Sequence, residues 1–288
     1  MELTGRYGYV FRPALNDYPN QISKVMKTYR TGVSEVHTYN TIKMQLIDSE
    51  CQYYMGEPEV CTIDPKRIRG LGIAVKPPYA VLNYTDGGDN LKQILKPGVD
   101  GPAVLQNFLN IIKGIQLMHA HERYHLDIKP DNIVIGHGHG QYRFIDFGFA
   151  QYKTVKRSKI YAKGFDRVMK YAYPYWPLDV LLLCPLPVKP IHPGQVHTYL
   201  AAMKHCGYPL PEVQAYIPPK NGDITQVAKR VDLWSIGITL YDIWKVLPEG
   251  STRDKLHRQV ILKILHINDR MTADELFALY ETFLAEMV

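Results

Sequence analysis

The sequence predicts an α+β fold, and three observations predict it. Gln21-Ile22-Ser23-Lys24-Val25-Met26-Lys27 and Tyr79-Ala80-Val81-Leu82-Asn83-Tyr84 are short runs rich in β-branched, aromatic and apolar residues, which read as strands. Ile133-Val134-Ile135 and Tyr142-Arg143-Phe144-Ile145 flank Gly136-His137-Gly138-His139-Gly140, the pattern of a strand, a turn and a returning strand. Val104 to His121 repeats apolar residues at Leu105, Phe108, Leu109, Ile112, Ile115 and Met118, the spacing of an amphipathic helix.

With 288 residues, 46% of them hydrophobic, the chain can bury a substantial core. Its net charge of +6 comes from 34 basic and 28 acidic residues, and no dense basic block accompanies it, so composition gives no reason to expect nucleic-acid binding. Cys51, Cys61, Cys184 and Cys206 are scattered, which suits a reduced intracellular protein. We read no signal peptide, and no apolar run is long enough for a bilayer, so no membrane association is expected.

The hairpin would gather acids and amides that are far apart in sequence. Asp127, Lys129 and Asn132 precede it, and Asp146-Phe147-Gly148 follows it. Asp with Asn and no nearby Cys is an oxygen-rich set that suits a hard cation such as Mg²⁺. The stretch His125-Leu126-Asp127-Ile128-Lys129-Pro130-Asp131-Asn132, followed by Ile145-Asp146-Phe147-Gly148, resembles the catalytic loop and metal loop of eukaryotic-type protein kinases. That resemblance implies one kinase domain over 1–288. A small β-rich lobe would run to about residue 83, a hinge over about 83–89, and a mainly helical lobe over about 90–288.

Under the same resemblance the remaining elements follow in order. Gly5-Arg6-Tyr7-Gly8-Tyr9-Val10 is similar to the end of a glycine-rich phosphate loop, with Gly5, Gly8 and Val10 on its fixed positions and Leu3 where the first glycine would be. Val25 would pack on the nucleotide, and Lys27 would pair with its phosphates, with Lys24 as the rival. A helix from about Val33 to Leu46, capped by Ser34 or Thr31, would offer Glu35 to Lys27, although their spacing is short for the family. Residues 47–78 read as loop and strand, with Lys66 to Arg69 as solvated surface. Leu82 would stand as gatekeeper, Asn83 and Thr85 would offer main-chain groups to adenine, and Asp89 would reach the ribose.

Behind the metal loop, Tyr173-Pro174-Tyr175-Trp176-Pro177-Leu178-Asp179 resembles the end of an activation segment, with Asp179 in place of Glu and expected to pair with Arg270. Ala172 falls near the position of a bridging Thr. Residues 180–226 form a longer connection than the family usually has. Val231 to Gly237 matches the D-x-W-S-x-G core helix, in which Asp232 would cap the catalytic-loop backbone. Arg270-Met271-Thr272-Ala273 leads into the last helix.

The resemblance implies a Ser/Thr protein kinase using ATP and Mg²⁺ (or Mn²⁺) on protein substrates. Asp127 would be the base, Lys129 the γ-phosphate partner, and Asn132 and Asp146 the metal ligands. A cytoplasmic setting is implied, and the divergent ends are similar to kinases of large DNA viruses. The missing first glycine and Leu126, where many kinases carry Arg, keep a nucleotide- or partner-binding pseudokinase as the rival reading. A small-molecule phosphotransferase shares part of the loop and is the third.

Overall fold

The computed structural model describes residues 2–4, 8–18, 20–135, 140–156, 173–183, 193–205, 207–208, 223–266 and 271–287. Its front part is an antiparallel sheet built from β1 (Glu2–Thr4), β2 (Gly8–Phe11), β3 (Gln21–Met26), β4 (Glu59–Cys61) and β5 (Val81–Thr85), in the order β1-β2-β3-β5-β4. In β3, Ser23 stands opposite Asn83 and Lys24 opposite Leu82. Both faces of the sheet are covered. Leu15, Val25, Ile68 and Val81 pack on one face, and Met26, Ala80 and Leu82 pack on the other, beneath helix α1 (Tyr29–Ile42).

Helix α1 begins four residues before the position expected from Val33. The cap is Thr28, whose side chain accepts from the Thr31 amide, so Thr31 and Ser34 lie inside the helix. Gly32 lets the helix approach the sheet closely, since a β-carbon there would come within 2.5 Å of the Ala80 β-carbon. The helix ends at Lys43 in the left-handed region. Residues 47–78 are more regular than expected. They carry β4 and helix α2 (Pro65–Gly70), with Asp64 as cap and Pro65 in its first turn. The basic cluster is part of this helix, and Arg67 pairs with Asp17 at 2.9 Å.

The described residues that follow are mainly helical. Helix α3 (Leu91–Ile94) leads to α4 (Gly101–Ala120), which starts three residues before the expected Val104 because Asp100 caps it. Two short ribbons follow, β6 (Arg123–Tyr124) with β9 (Gln151–Tyr152), and β7 (Ile133–Ile135) with β8 (Tyr142–Phe144). The second is the predicted hairpin, pairing Ile133 with Phe144 and Ile135 with Tyr142; its turn, Gly136 to His139, lies outside the described residues. Helix α5 (Pro193–His205) belongs to the long connection.

Helix α6 (Ile224–Val246) is the centre of this part, buried almost continuously from Val231 to Tyr241. Helix α7 (Ser251–Lys255) passes through a π turn (Leu256–Ile261) into α8 (Leu262–Ile264). Helix α9 (Ala273–Ala285), with a Thr272–Glu275 capping box, packs on α4. No helix among the described residues is long and apolar enough to cross a membrane.

Candidate active site

A cleft of about 390 Å³ lies between the sheet and the helical part. Its sheet-side wall carries Gly8, Val10, Ile22, Lys24, Glu35, Tyr84 and Thr85, and its opposite wall carries Asn132, Val134, Ile145 and Asp146. Gly8 is needed at the mouth, because a β-carbon would stand 2.7 Å from the Val25 carbonyl oxygen.

The cation that meets Glu35 on the sheet-side wall is Lys24. Its ammonium donates to both Glu35 oxygens, at 2.7 and 2.9 Å. This corrects the expectation that Lys27 pairs with Glu35. Lys27 lies beyond the end of β3, with its ammonium 5.6 Å from the centre of the Tyr9 ring. Strand alternation explains the difference: Ile22 and Lys24 share the cleft face, while Val25 turns to the opposite face among Leu15, Ile68 and Val81. Glu35, only 7% exposed, also accepts from the Tyr84 hydroxyl.

The expected hinge contacts shift by the same logic. Leu82 is buried beneath α1 with Met26 and Ala80. Asn83 sits between β3 and β4, so its backbone is engaged in the sheet, and its side chain accepts from Ser23 at 2.7 Å. Tyr84 takes the place at the cleft that Leu82 was expected to hold, and Thr85 also lines the cleft. Asp89 is largely exposed, 3.9 Å from Arg12; Asn90 and Gln93 line that end instead. Arg12 spans from β2 to the connecting turn, reaching Asp86 at 2.6 Å and the Gly88 carbonyl at 2.7 Å. Gly5 lies outside the described residues.

Across the cleft the loop before β7 converges on Asp127. Lys129 donates to its Oδ2 at 2.8 Å, and Asn132 donates to the same oxygen at 3.0 Å and to the Asp127 carbonyl at 2.8 Å. The Tyr173 hydroxyl donates to Oδ1 at 2.9 Å, next in sequence to the Ala172 that stands near the family's threonine position. The loop is held from beneath by Asp232 of α6. It accepts from the amides of His125 at 3.0 Å and Leu126 at 2.7 Å, and His119 Nε2 lies 3.1 Å away. This holds Leu126 at φ 61°, and Trp176 donates to the Leu126 carbonyl at 2.9 Å. Asp146 is also left-handed, at φ 60°. Phe147 then packs 4.8 Å from the His125 ring and 5.4 Å from Tyr39 of α1.

Electrostatics divides the two carboxylates. Burial pushes the Asp127 carboxyl above its ordinary range, and the adjacent Lys129 only partly opposes this. Burial acts the same way on Asp146, but the Lys24 and Lys129 ammonium groups outweigh it and hold that carboxyl below the ordinary range. Burial lowers His125, which favours its neutral form. Asn132 and Asp146 thus present an amide oxygen and an ionised carboxylate on one wall. That set suits a cation that keeps water and phosphate oxygens for its other positions, as Mg²⁺ does. Among the described residues no cluster of three or more His, Cys, Asp or Glu forms a closed metal cage.

Asp179 is buried near the end of the segment, 3.5 Å from Arg230 of α6. The Arg270 expected as its partner lies outside the described residues. Tyr84, Tyr173 and Arg230 are the residues that sequence reasoning passed over, and all three depend on contacts between distant segments. Lys24 stood in that reasoning as the rival to Lys27.

Residues 72–174 match the protein kinase domain family model. The chain is similar to Mitogen-activated protein kinase kinase kinase YODA of Arabidopsis thaliana, 31% identical over 34% of this chain and 10% of that protein. It is 24% identical to Serine/threonine-protein kinase LATS1 of Homo sapiens over 63% of this chain and 16% of that protein. It is 25% identical to Inhibitor of nuclear factor kappa-B kinase subunit alpha of Xenopus tropicalis over 68% of this chain and 31% of that protein. The matched stretches span less than a third of each of these relatives. Together with the family match they support a divergent eukaryotic-type protein kinase.

Proposed function

We propose that the chain transfers the γ-phosphate of ATP, with Mg²⁺ or Mn²⁺, to Ser or Thr hydroxyls of protein substrates. The observation that carries this reading is the facing of two polar sets across one cleft: Lys24 with Glu35, and Asp146 with Asn132, whose side chain is bonded in turn to Asp127, the partner of Lys129. Phosphoryl transfer asks a protein chiefly for positioning and for neutralisation of phosphate charge. Lys24, fixed by Glu35, would hold the α- and β-phosphates. Gly8 and Val10 would cover the nucleotide, and Thr85 with the Gly87–Gly88 backbone would meet its base. Asp127 would accept a hydrogen bond from the acceptor hydroxyl and take its proton as the new P–O bond forms and the bond between the γ-phosphorus and the bridging oxygen breaks, with ADP as the leaving group. Lys129 would offset charge on the transferred group.

Asn132 and Asp146 would hold the metal, which supplies charge neutralisation between the phosphates when bound. The Ser/Thr preference rests on the similarity of the Asp127-Ile128-Lys129 loop to that class and on the named relatives. A cytoplasmic setting is part of the proposal, since ATP is the donor and Cys51 and Cys61 stand as free thiols.

The test is transfer from labelled ATP to generic protein substrates. Wild type should label them. Asp127→Asn should lose about 10²-fold or more in turnover while nucleotide still binds. Asp146→Asn should lose the thermal shift with Mg-ATP. A wild type that gains stability with Mg-ATP but transfers nothing would instead be a nucleotide-binding scaffold.

A further inference from the structure

We propose that Tyr84 is a positioning residue for Lys24, acting through Glu35; the inference rests on the kinase reading and adds a residue to its machinery. Tyr84 stands on β5 at the back of the cleft, and its hydroxyl donates to the Glu35 Oε1 that also meets Lys24. The two strands are paired, with Ile22 opposite Tyr84 and Lys24 opposite Leu82. Tyr84 and Lys24 therefore approach Glu35 from one rigid sheet, while Glu35 comes from a separate helix.

That helix is tied down elsewhere at its far end. Arg123 donates to the carbonyls of Ile42 at 2.7 Å and Lys43 at 3.2 Å, which fixes the C-terminus of α1 to the helical part of the chain. At the level of Glu35, the polar ties to the sheet are Lys24 and Tyr84. A buried carboxylate requires compensation. When phosphates draw the Lys24 ammonium toward the cleft, Glu35 shares that charge. Tyr84 carries no formal charge to share, and burial pushes its phenol well above its ordinary range, so it remains a donor across working pH. It keeps Glu35 aimed at Lys24 at the stage when the ammonium is divided between two partners.

The experiment is a double-mutant cycle with Tyr84→Phe, Glu35→Gln and the pair. It reads Mg-ATP affinity, KM for ATP, kcat, and hydrogen exchange over residues 29–42. Tyr84→Phe removes one oxygen and should weaken ATP binding about 3- to 10-fold, the effect of one hydrogen bond. Exchange should quicken in residues 29–42 and stay unchanged in 101–120. The double variant should be no worse than Glu35→Gln alone, because both act on one contact. Additive losses, or a Tyr84→Phe protein with wild-type ATP affinity and wild-type exchange in 29–42, would overturn the assignment to Tyr84. A wild type with no transfer and no nucleotide binding would overturn it together with the kinase reading.

Discussion

Replacing Asp232 by Asn tests how the candidate site is built. The carboxylate is fully buried and takes two backbone donors, the amides of His125 and Leu126, with His119 Nε2 as a third neighbour. Hydrogen bonds to a charged group contribute about 1.5–3 kcal/mol each. Asn keeps one acceptor oxygen and turns an NH₂ toward a donor, so at least one buried N–H loses its partner at a cost of about 1–3 kcal/mol. The other contact loses its charge assistance. Against this, the Leu126 backbone, held in the left-handed region at about 1–2 kcal/mol of intrinsic cost, is freed to relax and returns part of the loss.

The net loss is about 2 kcal/mol. With a urea dependence of about 3 kcal/mol per molar, the unfolding midpoint should fall by about 0.7 M. Turnover should fall more than tenfold even below the unfolding transition, because Asp127 follows Leu126 directly. Urea titration by circular dichroism and initial-rate assays read the two effects. An unchanged midpoint would refute the claim that Asp232 holds this loop, and a shifted midpoint with wild-type turnover would refute the link from backbone strain to Asp127.

Two further predictions follow. Lys24→Met should reduce turnover by about 10²-fold or more, as loss of a positioned phosphate partner implies, whereas Lys27→Met should leave it within about twofold; the reverse order, read by initial rates at saturating ATP, would restore the original pairing. Leu126 is completely buried, so the arginine that receives a loop phosphate in many kinases has no counterpart at that position. A preparation stripped by phosphatase, with its state verified by mass spectrometry, should keep its turnover, and a loss of tenfold or more would show that another cation serves as the receptor.

What could be read from the sequence was local, and what could not was tertiary. The hairpin of β7 and β8 was legible because its β-branched runs bracket a glycine-rich turn. The middle of α6 was legible because Asp232-Leu233-Trp234-Ser235 is a distinctive run, although its start at Ile224 was not. Helix α2 carried a readable signal, Asp64 before Pro65, that the surrounding Pro and Gly obscured.

The cation of the cleft was harder for a physical reason. In a strand with one solvated face, alternation separates the two sides. Here the sheet is covered on both, so Val25 and Met26 are adjacent and both buried, and the pattern that should have separated Lys24 from Lys27 is blurred. Length decides instead: β3 ends at Met26, and a lysine beyond the strand no longer shares its register. The same limit hid Tyr84 and Tyr173, whose hydroxyls meet partners 49 and 46 residues away. Both are acceptor–donor matches between distant segments, one on each side of the cleft, and they arise only once β5 meets α1 and the segment after residue 172 meets the loop that carries Asp127. Local pattern thus located the acids of the candidate site, while the neutral donors that meet them are properties of the folded chain.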